Sequence, residues 1–333
     1  MRILVTGGSG FIGTNLLNVL LEGKHDFLSL DISEPRLSSH FKFYKKVDVL
    51  DPETLTRTIK SFAPEFVFHL AARTDLDEKK DIKGYAANID GVRNLIKAIS
   101  ATSAVRRCIF TSTKLIVPND SGPEDDQDFR PNTLYGQSKV EGEKIVRDSN
   151  ELHCEWCIIR PTSIWGPWSD APHNPYGRFF EMVAKGCYFH TGETDPPRYF
   201  GYVGNTVFQM MKLLEAKTES IQAKVFYLAD YEIYHIRQWA DLISFKTTGK
   251  KVRAIPMSVM KFAALAGDLL KMLGISNPPM TTFRLKNMQA DTTKMSLESI
   301  RALTGSLPYS IESGVEETTR WLFRKNDEDL NGL

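Results

Sequence analysis

The chain has 333 residues, and its 42 lysine and arginine residues nearly balance its 41 aspartate and glutamate residues, so the formal net charge is +1. This balance argues against a nucleic-acid-binding protein, which usually carries a strong positive charge. A hydrophobic fraction of 42% and a charged fraction of 25% are typical of a globular protein with a large core. Four cysteines are too few for a disulfide framework, and the amino-terminal apolar run lacks the features of a signal peptide, so a cytoplasmic location is expected.

Short β-branched and apolar runs alternate with helix-length amphipathic segments over the first 160 residues or so. Such alternation predicts an α/β fold with a Rossmann-type doubly wound parallel sheet, in which ligands bind beyond the carboxyl ends of the strands. The predicted strands cover residues 2–6, 27–31, 43–47, 66–71, 107–112 and 155–160, and the predicted helices cover residues 11–22, 52–61, 82–100 and 132–149.

The pattern changes in residues 163–202, where proline, glycine and aromatic residues predict loops over a site. A helix predicted at 203–217 and a strand predicted at 224–229 then rejoin the sheet. The two domains are therefore expected to interleave: residues 1–162 and about 203–229 form the domain of the large sheet, and residues 163–202 and 230–325 form a smaller domain that is expected to bind the substrate.

Residues 254–273 form the most apolar window of the chain, but proline and charged residues interrupt it, so no integral membrane segment is predicted. The spacing of its apolar residues predicts an amphipathic helix that covers a site or lies on a partner. Peripheral contact with a membrane is a second interpretation.

A glycine-rich turn follows the first predicted strand and opens the first helix. Gly7 permits a tight turn, Gly10 lets the backbone approach a pyrophosphate, and Gly13 allows the helix to pack closely on the strand. Asp31 ends the second strand 18 residues after Gly13, where a carboxylate accepts hydrogen bonds from ribose hydroxyls and repels a 2′-phosphate. The pattern predicts dinucleotide binding and favours NAD, although Arg36 is close enough in sequence to reach a phosphate.

Tyr135 and Lys139 lie four residues apart, on one face of a predicted helix. A phenol with an ordinary pKa of about 10 is a poor base at neutral pH, but an adjacent cation favours the phenolate. The pair can therefore act as an acid/base catalyst on an alcohol, although the same spacing is common on solvated helix faces. Thr113 follows the fifth predicted strand and adds a hydroxyl at the edge of the sheet where ligands bind.

These features together resemble the extended short-chain dehydrogenase/reductase family, in particular its NAD-dependent nucleotide-sugar epimerase and dehydratase branch. The resemblance covers nearly the whole chain. It rests on Gly7, Gly10 and Gly13, Asp31, Asp48 and Val49, the run from His69 to Ala72, Asn88 with Gly91, Thr113, Tyr135 with Lys139, and Arg160 with Pro161.

The resemblance implies that Tyr135 is the acid/base, that Lys139 lowers its pKa and holds the nicotinamide ribose, and that Thr113 hydrogen-bonds the reacting oxygen. Asn88 matches the family's structural asparagine, and an equally simple interpretation is that it caps a helix. The implied cofactor is NAD, and the implied cofactor-binding residues are Gly7, Gly10, Phe11, Ile12, Gly13, Asp31, Asp48, Val49, Leu70, Ala71, Ala72, Asn88, Tyr135 and Lys139.

The substrate-binding prediction depends on Arg198, which begins a segment similar to the family's Arg-Asp-Phe-x-Tyr-Val pattern, whose arginine contacts the nucleotide diphosphate. Arg284 is a second candidate for the diphosphate, and Ser163 stands where the family often has an asparagine. Ser163, Tyr199 and Asn205 depart from the family pattern, so the sugar contacts of known relatives do not transfer directly.

The residues after Thr113 bear on the type of reaction. The 4,6-dehydratases of the family carry an Asp-Glu pair there, whereas this chain has Lys114 and Leu115, so elimination is disfavoured. The first hypothesis is an NAD-dependent nucleotide-sugar epimerase that acts at C4 by transient oxidation of a sugar carbinol. The alternatives are an NAD(P)H-dependent reductase or dehydrogenase of a 4-ketosugar or sterol-type alcohol, and a non-catalytic NAD-binding sensor.

A homodimer is expected, because the family commonly pairs through the two helices predicted here at 82–100 and 132–149. The apolar residues of the first helix serve either that seam or the face of the sheet; they are Ile89, Val92, Ile96 and Ile99.

Two further patterns are interpreted as structural or left open. Cys154 and Cys157 have the spacing of a redox or zinc pair, but no second pair completes a site, so they are interpreted as core thiols and no metal is predicted. An aromatic group either lines a sugar or base site or belongs to the core; its members are Trp165, Trp168, Tyr176, Phe179 and Phe180.

Overall fold

The computed structural model describes residues 1–118, 121–169, 174–192, 195–273, 275, 281–282, 285 and 291–331, with side chains up to residue 324. The strands are β1 (Arg2–Thr6), β2 (Asp26–Asp31), β3 (Tyr44–Lys46), β4 (Phe66–His69), β5 (Arg107–Thr111), β6 (Glu155–Pro161), β7 (Ser163–Trp165), β8 (Phe189–Thr191), β9 (Phe200–Tyr202), β10 (Lys224–Leu228) and β11 (Arg253–Ile255). The helices are α1 (Phe11–Glu22), α2 (Pro52–Phe62), α3 (Ala86–Ser100), α4 (Leu134–Arg147), α5 (Pro175–Ala184), α6 (Val203–Glu215), α7 (Thr218–Ile221), α8 (Ile236–Thr248), α9 (Met257–Met272), α10 (Glu298–Thr304) and α11 (Ile311–Asn331).

Seven strands form one parallel sheet in the order β3-β2-β1-β4-β5-β6-β10. The chain runs outward from β1 to β3 and then returns to β4 on the other side of β1. A crevice therefore opens beyond the carboxyl ends of β1 and β4, where this class of sheet binds its ligands. The predicted Rossmann-type doubly wound fold is confirmed, together with smaller carboxyl-terminal sheets formed by β7 with β9 and by β8 with β11.

The sheet is buried on both faces, as its near-continuous apolar strands require. In β1, Ile3 and Val5 pack into one core and Leu4 packs into the other, because successive side chains of a strand point to opposite faces. All three side chains are fully buried. The second core takes up the inner face of α3, where Val92, Ile96 and Ile99 lie.

The position of these α3 residues bears on the expected dimer seam. Val92, Ile96 and Ile99 are at most 5% exposed within a single chain, so they serve the sheet face. The exposed side chains of α3 include Asp90, Arg93 and Lys97, so the outer surface of this helix is charged.

The beginning of α4 is closely packed against the loop that follows β5. The Thr133 hydroxyl accepts a hydrogen bond from the Gly136 backbone nitrogen at 3.0 Å and so caps the helix. A Cβ on Gly136 would lie 2.3 Å from the Leu115 carbonyl oxygen, so only glycine allows this approach. The capped, closely packed first turn fixes the helix that carries Tyr135.

The interpretation of residues 163–202 as loops alone was wrong. This stretch contains β7, α5, β8 and β9. Its three strands have three residues each, too few to show an alternating pattern in the sequence. The aromatic side chains supply core as well: Trp165 is fully buried and Phe180 is 2% exposed, and their rings stack 6.1 Å apart.

The chain passes several times between the large sheet and the carboxyl-terminal region, and hydrogen bonds of Asp230 connect the segments that cross. Asp230 follows β10, is 4% exposed, and accepts hydrogen bonds from the Tyr202 backbone nitrogen at 3.0 Å and the Asn205 side chain at 2.8 Å. The Asp230 backbone nitrogen also donates to the Phe200 carbonyl at 2.8 Å. The interleaved domain boundaries remain a prediction.

Two of the four cysteines are buried, Cys154 is partly buried and Cys187 is exposed. All four are free, and Cys108 and Cys157 are buried on the neighbouring strands β5 and β6. Burial raises the pKa of Cys154 to about 11 and that of Cys157 to about 12, so both thiols stay protonated at neutral pH. Among the described residues, no group of three or more His, Cys, Asp or Glu side chains could hold a metal ion.

Candidate active site at the carboxyl edge of the sheet

The glycine turn lies directly after β1, at the crevice. Gly7 has a φ of 76°, and a Cβ on it would lie 2.5 Å from the Ala71 backbone nitrogen. A Cβ on Gly13 would lie 2.3 Å from the Gly7 carbonyl oxygen. Gly7 is therefore required for close packing of the turn against the loop after β4, and Gly13 for close packing of α1 against the turn itself.

The start of α1 is suited to an anion. A Cβ on Gly10 would meet only the Gly7 carbonyl oxygen, at 3.2 Å, so the turn leaves space on this side. No side chain caps α1, and its first turn contains no acidic residue. The backbone N–H groups of Phe11 and Ile12 at this helix start can therefore face a phosphate.

Asp31 lies against the same turn, at the end of β2. Its Oδ2 accepts a hydrogen bond from the Ser9 backbone nitrogen and its Oδ1 accepts one from Ser33, each at 3.0 Å. The Arg36 Nε donates to the Ser9 carbonyl at 3.0 Å, so a carboxylate and a guanidinium flank Ser9. A ribose diol would find an acceptor here, and a 2′-phosphate would meet both charges.

The other residues expected at the adenine and ribose side also lie near this edge. Asp48 and Val49 follow β3; Asp48 is exposed, and Val49 is buried with its carbonyl accepting a bond from Asn94 at 3.0 Å. Residues 70–72 follow β4 and are half-buried. The structure thus brings the expected set to one end of the sheet.

The predicted catalytic side chains come from two neighbouring elements. Thr113 follows β5, and Tyr135 and Lys139 lie one turn apart on α4. All three are buried, with 7%, 8% and 5% exposure respectively. The Thr113 side chain lies within hydrogen-bonding reach of the Tyr135 phenol. The sequence spacing and the fold therefore converge on one small group of polar side chains.

Burial controls the protonation of this group. It raises the pKa of Tyr135 to about 12, although the hydrogen bond with Thr113 acts in the opposite direction. It lowers the pKa of Lys139 to about 8, against the charge of Glu143. The lowering of the Tyr135 pKa by Lys139 stays a prediction, while burial and the charge of Lys139 together lower the pKa of His69 to about 3.

Asn88 acts within the protein frame. Its Nδ2 donates to the Arg73 carbonyl at 2.9 Å and to the Ser138 hydroxyl at 2.8 Å, and its Oδ1 accepts from the Arg73 backbone nitrogen at 2.8 Å. The Ser138 hydroxyl donates in turn to the Tyr135 carbonyl at 2.7 Å. Asn88 is 1% exposed and lies inside α3, so the capping interpretation is wrong and its hydrogen bonds tie the loop after β4 to the Tyr135 turn.

Glu143 extends the catalytic face of α4 and was missed in the sequence. It is 2% exposed and accepts a bidentate pair from Arg160, with the Nε donating at 2.9 Å and the second nitrogen at 2.7 Å. Arg160 also donates to the Tyr227 hydroxyl at 2.9 Å and to the Asp126 carbonyl at 2.7 Å. The available signal was the four-residue spacing of Tyr135, Lys139 and Glu143 along one helix face.

On the substrate side, Tyr176 connects two of the predicted residues. Its hydroxyl donates to the Ser163 Oγ at 2.6 Å, and the charge of Arg198 acts on the Tyr176 phenol. A backbone pair with Tyr234 fixes Arg198, and burial lowers the pKa of its guanidinium. Arg284, the other predicted diphosphate contact, lies outside the described residues.

Lys114 is a second cation on this side. It is 6% exposed, and its Nζ donates to the Thr292 carbonyl at 3.5 Å. The Thr292 backbone nitrogen donates to the Pro197 carbonyl at 3.3 Å, and the charge of Asp291 interacts with both Lys114 and Arg198. A cation therefore stands where the dehydratases of the family carry their carboxylates.

Comparison with known proteins identifies the family. Residues 3–229 match the family described as the NAD dependent epimerase/dehydratase family. The chain belongs to this family. As an NAD-dependent epimerase/dehydratase family enzyme, it carries residues that fit the cofactor, because the start of α1 is open to a pyrophosphate and Asp31 is placed for a ribose diol.

Relatives of this epimerase/dehydratase family member have different substrates. A 3-beta-hydroxysteroid dehydrogenase of Mycolicibacterium neoaurum is 33% identical over 198 residues, which are 56% of this chain and 52% of the relative. The chain spans about half the length of the mycobacterial relatives it matches. An Escherichia coli O157:H7 N-acetyl-alpha-D-glucosaminyl-diphospho-ditrans,octacis-undecaprenol 4-epimerase is 25% identical over 97% of this chain and 95% of the relative.

Solved structures agree on the fold. The UDP-glucose 4-epimerase of Thermotoga maritima, solved with UDP-glucose, superposes with a TM-score of 0.76 at 22% identity and covers 98% of this chain and 100% of its own. The UDP-glucose 4-epimerase of Thermus thermophilus, solved with NAD, has a TM-score of 0.70 at 22% identity. The superposition covers 97% of this chain and 99% of that epimerase. At these identities the likeness concerns the fold alone.

Proposed function

We propose that this chain is an NAD-dependent 4-epimerase of a sugar linked to a diphosphate, with a nucleotide sugar as the expected substrate. The observation that carries the proposal is the pairing of Thr113 with the buried phenol of Tyr135, at the same edge of the sheet as the glycine turn. One binding site for a dinucleotide and one acid/base group are what reversible oxidation of a carbinol needs.

The side chains divide the work between them. Thr113 holds the carbinol oxygen, and Tyr135 takes its proton and later returns one. Lys139, whose pKa is lowered to about 8, still carries its charge at pH 7 and opposes the energetic cost of the phenolate. NAD, when bound, supplies the hydride acceptor and a further positive charge. Asp31 favours NAD over NADP.

The substrate class follows from the charges around the substrate side. Arg198 and Lys114 present two cations about Asp291 and suit a diphosphate. The Escherichia coli relative, aligned over most of both chains, is named for a sugar joined to a lipid through a diphosphate, and the Thermotoga maritima epimerase was solved with UDP-glucose. Lys114 in place of a carboxylate supports epimerisation over dehydration.

The test begins with a search for the substrate. Thermal shift with NAD present is measured for UDP-, GDP-, CDP- and dTDP-sugars and for a polyprenyl-diphosphate sugar, because a ligand stabilises the folded state by mass action. The binder is then assayed for its 4-epimer, with absorbance at about 340 nm recorded. Epimer formation without a net change in absorbance supports the proposal.

Tyr135→Phe should lower turnover of that substrate by about 10²–10⁴-fold, the usual contribution of a general acid/base. Tyr85→Phe is the matched control, since the Tyr85 ring lies 6.1 Å from that of Tyr135 and its hydroxyl donates to a carbonyl at 2.8 Å. Full turnover in Tyr135→Phe would contradict the assignment.

A reductase or dehydrogenase of a sterol-type alcohol or a 4-ketosugar is the second candidate, favoured by the Mycolicibacterium neoaurum relative. It predicts a stoichiometric change in absorbance at about 340 nm with an apolar alcohol or ketosugar. Binding of steroids and of no sugar diphosphate would replace the epimerase proposal with this one.

A homodimer and a cytoplasmic location also stay proposals. Four free thiols suit a reducing compartment. Since the apolar residues of α3 pack inside one chain, pairing through this helix would use its charged outer side chains. Sedimentation at micromolar protein distinguishes a dimer from a monomer.

A further inference from the structure

Helix α9 turns its large apolar side chains outward. In the described part of the chain, nineteen large hydrophobic residues are exposed, and eight of them lie between residues 259 and 275. Phe262 is 75% exposed, Leu265 63% and Leu269 58%. The side chains that α9 buries are small, namely Ala264 and Gly267.

This arrangement is the reverse of the usual one for a helix that packs on a protein core. A surface helix normally turns its large apolar residues inward. Here the helix rests on the protein through small residues and presents a continuous apolar strip along about 24 Å, the length of sixteen residues. Apolar strips of this size mark interaction sites on folded proteins.

Most of the charged side chains around the strip are positive. Lys261 and Lys271 lie on α9, and a basic group directly precedes it; all are exposed, and the preceding residues are Lys250, Lys251 and Arg253. The one acidic side chain of α9, Asp268, accepts hydrogen bonds from the Thr282 backbone nitrogen at 3.2 Å and from its hydroxyl. Apolar residues bordered by cations match an anionic phospholipid surface.

The length and the one-sided apolar pattern of α9 fit a helix that lies on a membrane surface and not one that crosses a bilayer. No helix in the part of the chain that the structure describes is long and apolar enough to span a bilayer. A helix of this length that is apolar on one side only is suited to the interface, parallel to the surface. Two copies of this chain paired through α9 would bring the same lysines together, which disfavours a second copy as the occupant.

We propose that α9 is a membrane-surface helix, which inserts Phe262, Leu265 and Leu269 into the headgroup region of an anionic bilayer. The helix follows β11, which pairs with β8 in the carboxyl-terminal region that also holds Arg198. Membrane binding would therefore hold the substrate side of the enzyme at the lipid surface.

The experiment is vesicle flotation of the full-length protein with phosphatidylcholine vesicles that contain either no phosphatidylglycerol or about 30%. We expect the wild type to bind the anionic vesicles. The double variant Phe262→Gln/Leu269→Gln should bind them at least about tenfold more weakly, because burying one side chain of this size in lipid strengthens binding by about tenfold or more. The matched control is Phe245→Gln, because Phe245 is 62% exposed on α8. Melting temperatures verify that the variants are folded.

Two further measurements make the outcome decisive. Phe262→Trp should show a blue-shifted, brominated-lipid-quenched fluorescence on anionic vesicles, and Lys261→Glu/Lys271→Glu should weaken binding to them. Wild-type protein that stays unbound, or a double glutamine variant that floats like the wild type, would overturn the proposal. The proposal would also be overturned if the wild type sedimented as a dimer and the double glutamine variant as a monomer, because a second copy of the chain would then cover the strip. Flotation needs no substrate, so its outcome is independent of the epimerase test.

Discussion

Replacing Glu143 by glutamine removes one charge from the interior and leaves the shape of the side chain nearly unchanged. Arg160 is fully buried, and Glu143 accepts two of its hydrogen bonds. The variant keeps one side-chain oxygen as an acceptor, beside the Tyr227 hydroxyl and one backbone carbonyl, but it removes the carboxylate that balances the buried guanidinium. Loss of one member of a buried ion pair costs about 3–5 kcal/mol, because the other charge stays desolvated.

For a chain of 333 residues, this loss corresponds to a fall in melting temperature of roughly 4–7 °C. A second effect should appear at the catalytic face. The charge of Glu143 raises the pKa of Lys139, which burial lowers to about 8. Removing that charge should lower this pKa further, so the lysine would lose its proton at a lower pH.

Two measurements follow these effects: thermal unfolding at pH 7, and the alkaline limb of kcat/KM on the substrate found by thermal shift. The matched control is Glu141→Gln on the outer side of α4, where the pair with Lys144 at 3.0 Å is solvent-exposed and worth at most about 1 kcal/mol. An unchanged melting temperature would refute the stabilising role of the buried ion pair between Glu143 and Arg160. An alkaline limb that does not move to lower pH would refute the coupling to Lys139.

Three further predictions concern binding and stability. Arg198→Ala should raise KM by about one to two orders of magnitude with a smaller change in kcat, because a charged contact to a diphosphate is worth roughly 1.5–3 kcal/mol. The control is Arg178→Ala, which replaces an exposed arginine and should leave KM unchanged. Calorimetry should find NAD bound more tightly than NADP by about 1–3 kcal/mol, a gap that Asp31→Ala narrows and exposed Asp26→Ala preserves; equal affinities in the wild type would contradict it. His69 has its pKa lowered from 6.5 to about 3, so its stabilising effect is complete above pH 6.5 and is lost as the pH falls toward 3. Between pH 6.5 and 4.5 urea unfolding should show the wild type losing about 2 kcal/mol more than His69→Gln, and parallel losses would exclude this role.

The sequence was sufficient for features that depend on local spacing. Gly7, Gly10 and Gly13 lie within seven residues, and Tyr135 and Lys139 lie on one turn of a helix, so each group can be identified before the fold is known. The parallel, doubly wound sheet followed from the alternation of strands and helices.

Features that depend on distant pairs could not be predicted in this way. The hydrogen bond of Lys114 with Thr292 joins residues 178 positions apart. The Tyr176 hydroxyl donates to Ser163, which lies 13 positions earlier at the start of the three-residue strand β7. Burial likewise depends on the whole fold: it raises the pKa of Tyr135, and it places the apolar side of α3 against the sheet. A local sequence pattern shows which residue types are present, but it does not show whether their side chains are buried or exposed to solvent.

The Asp230 crossing has a consequence for how the enzyme can be re-engineered. Asp230 binds both Tyr202 and Asn205, which stand on opposite sides of the passage from β9 into α6. A graft that exchanged only residues 163–202 would keep a backbone donor at position 202 but would set a foreign segment against Asp230 and Asn205. The two predicted substrate-binding stretches, residues 163–202 and 230–325, would thus meet at one buried junction, and we expect chimaeras with related enzymes to fold best when both stretches come from the same parent.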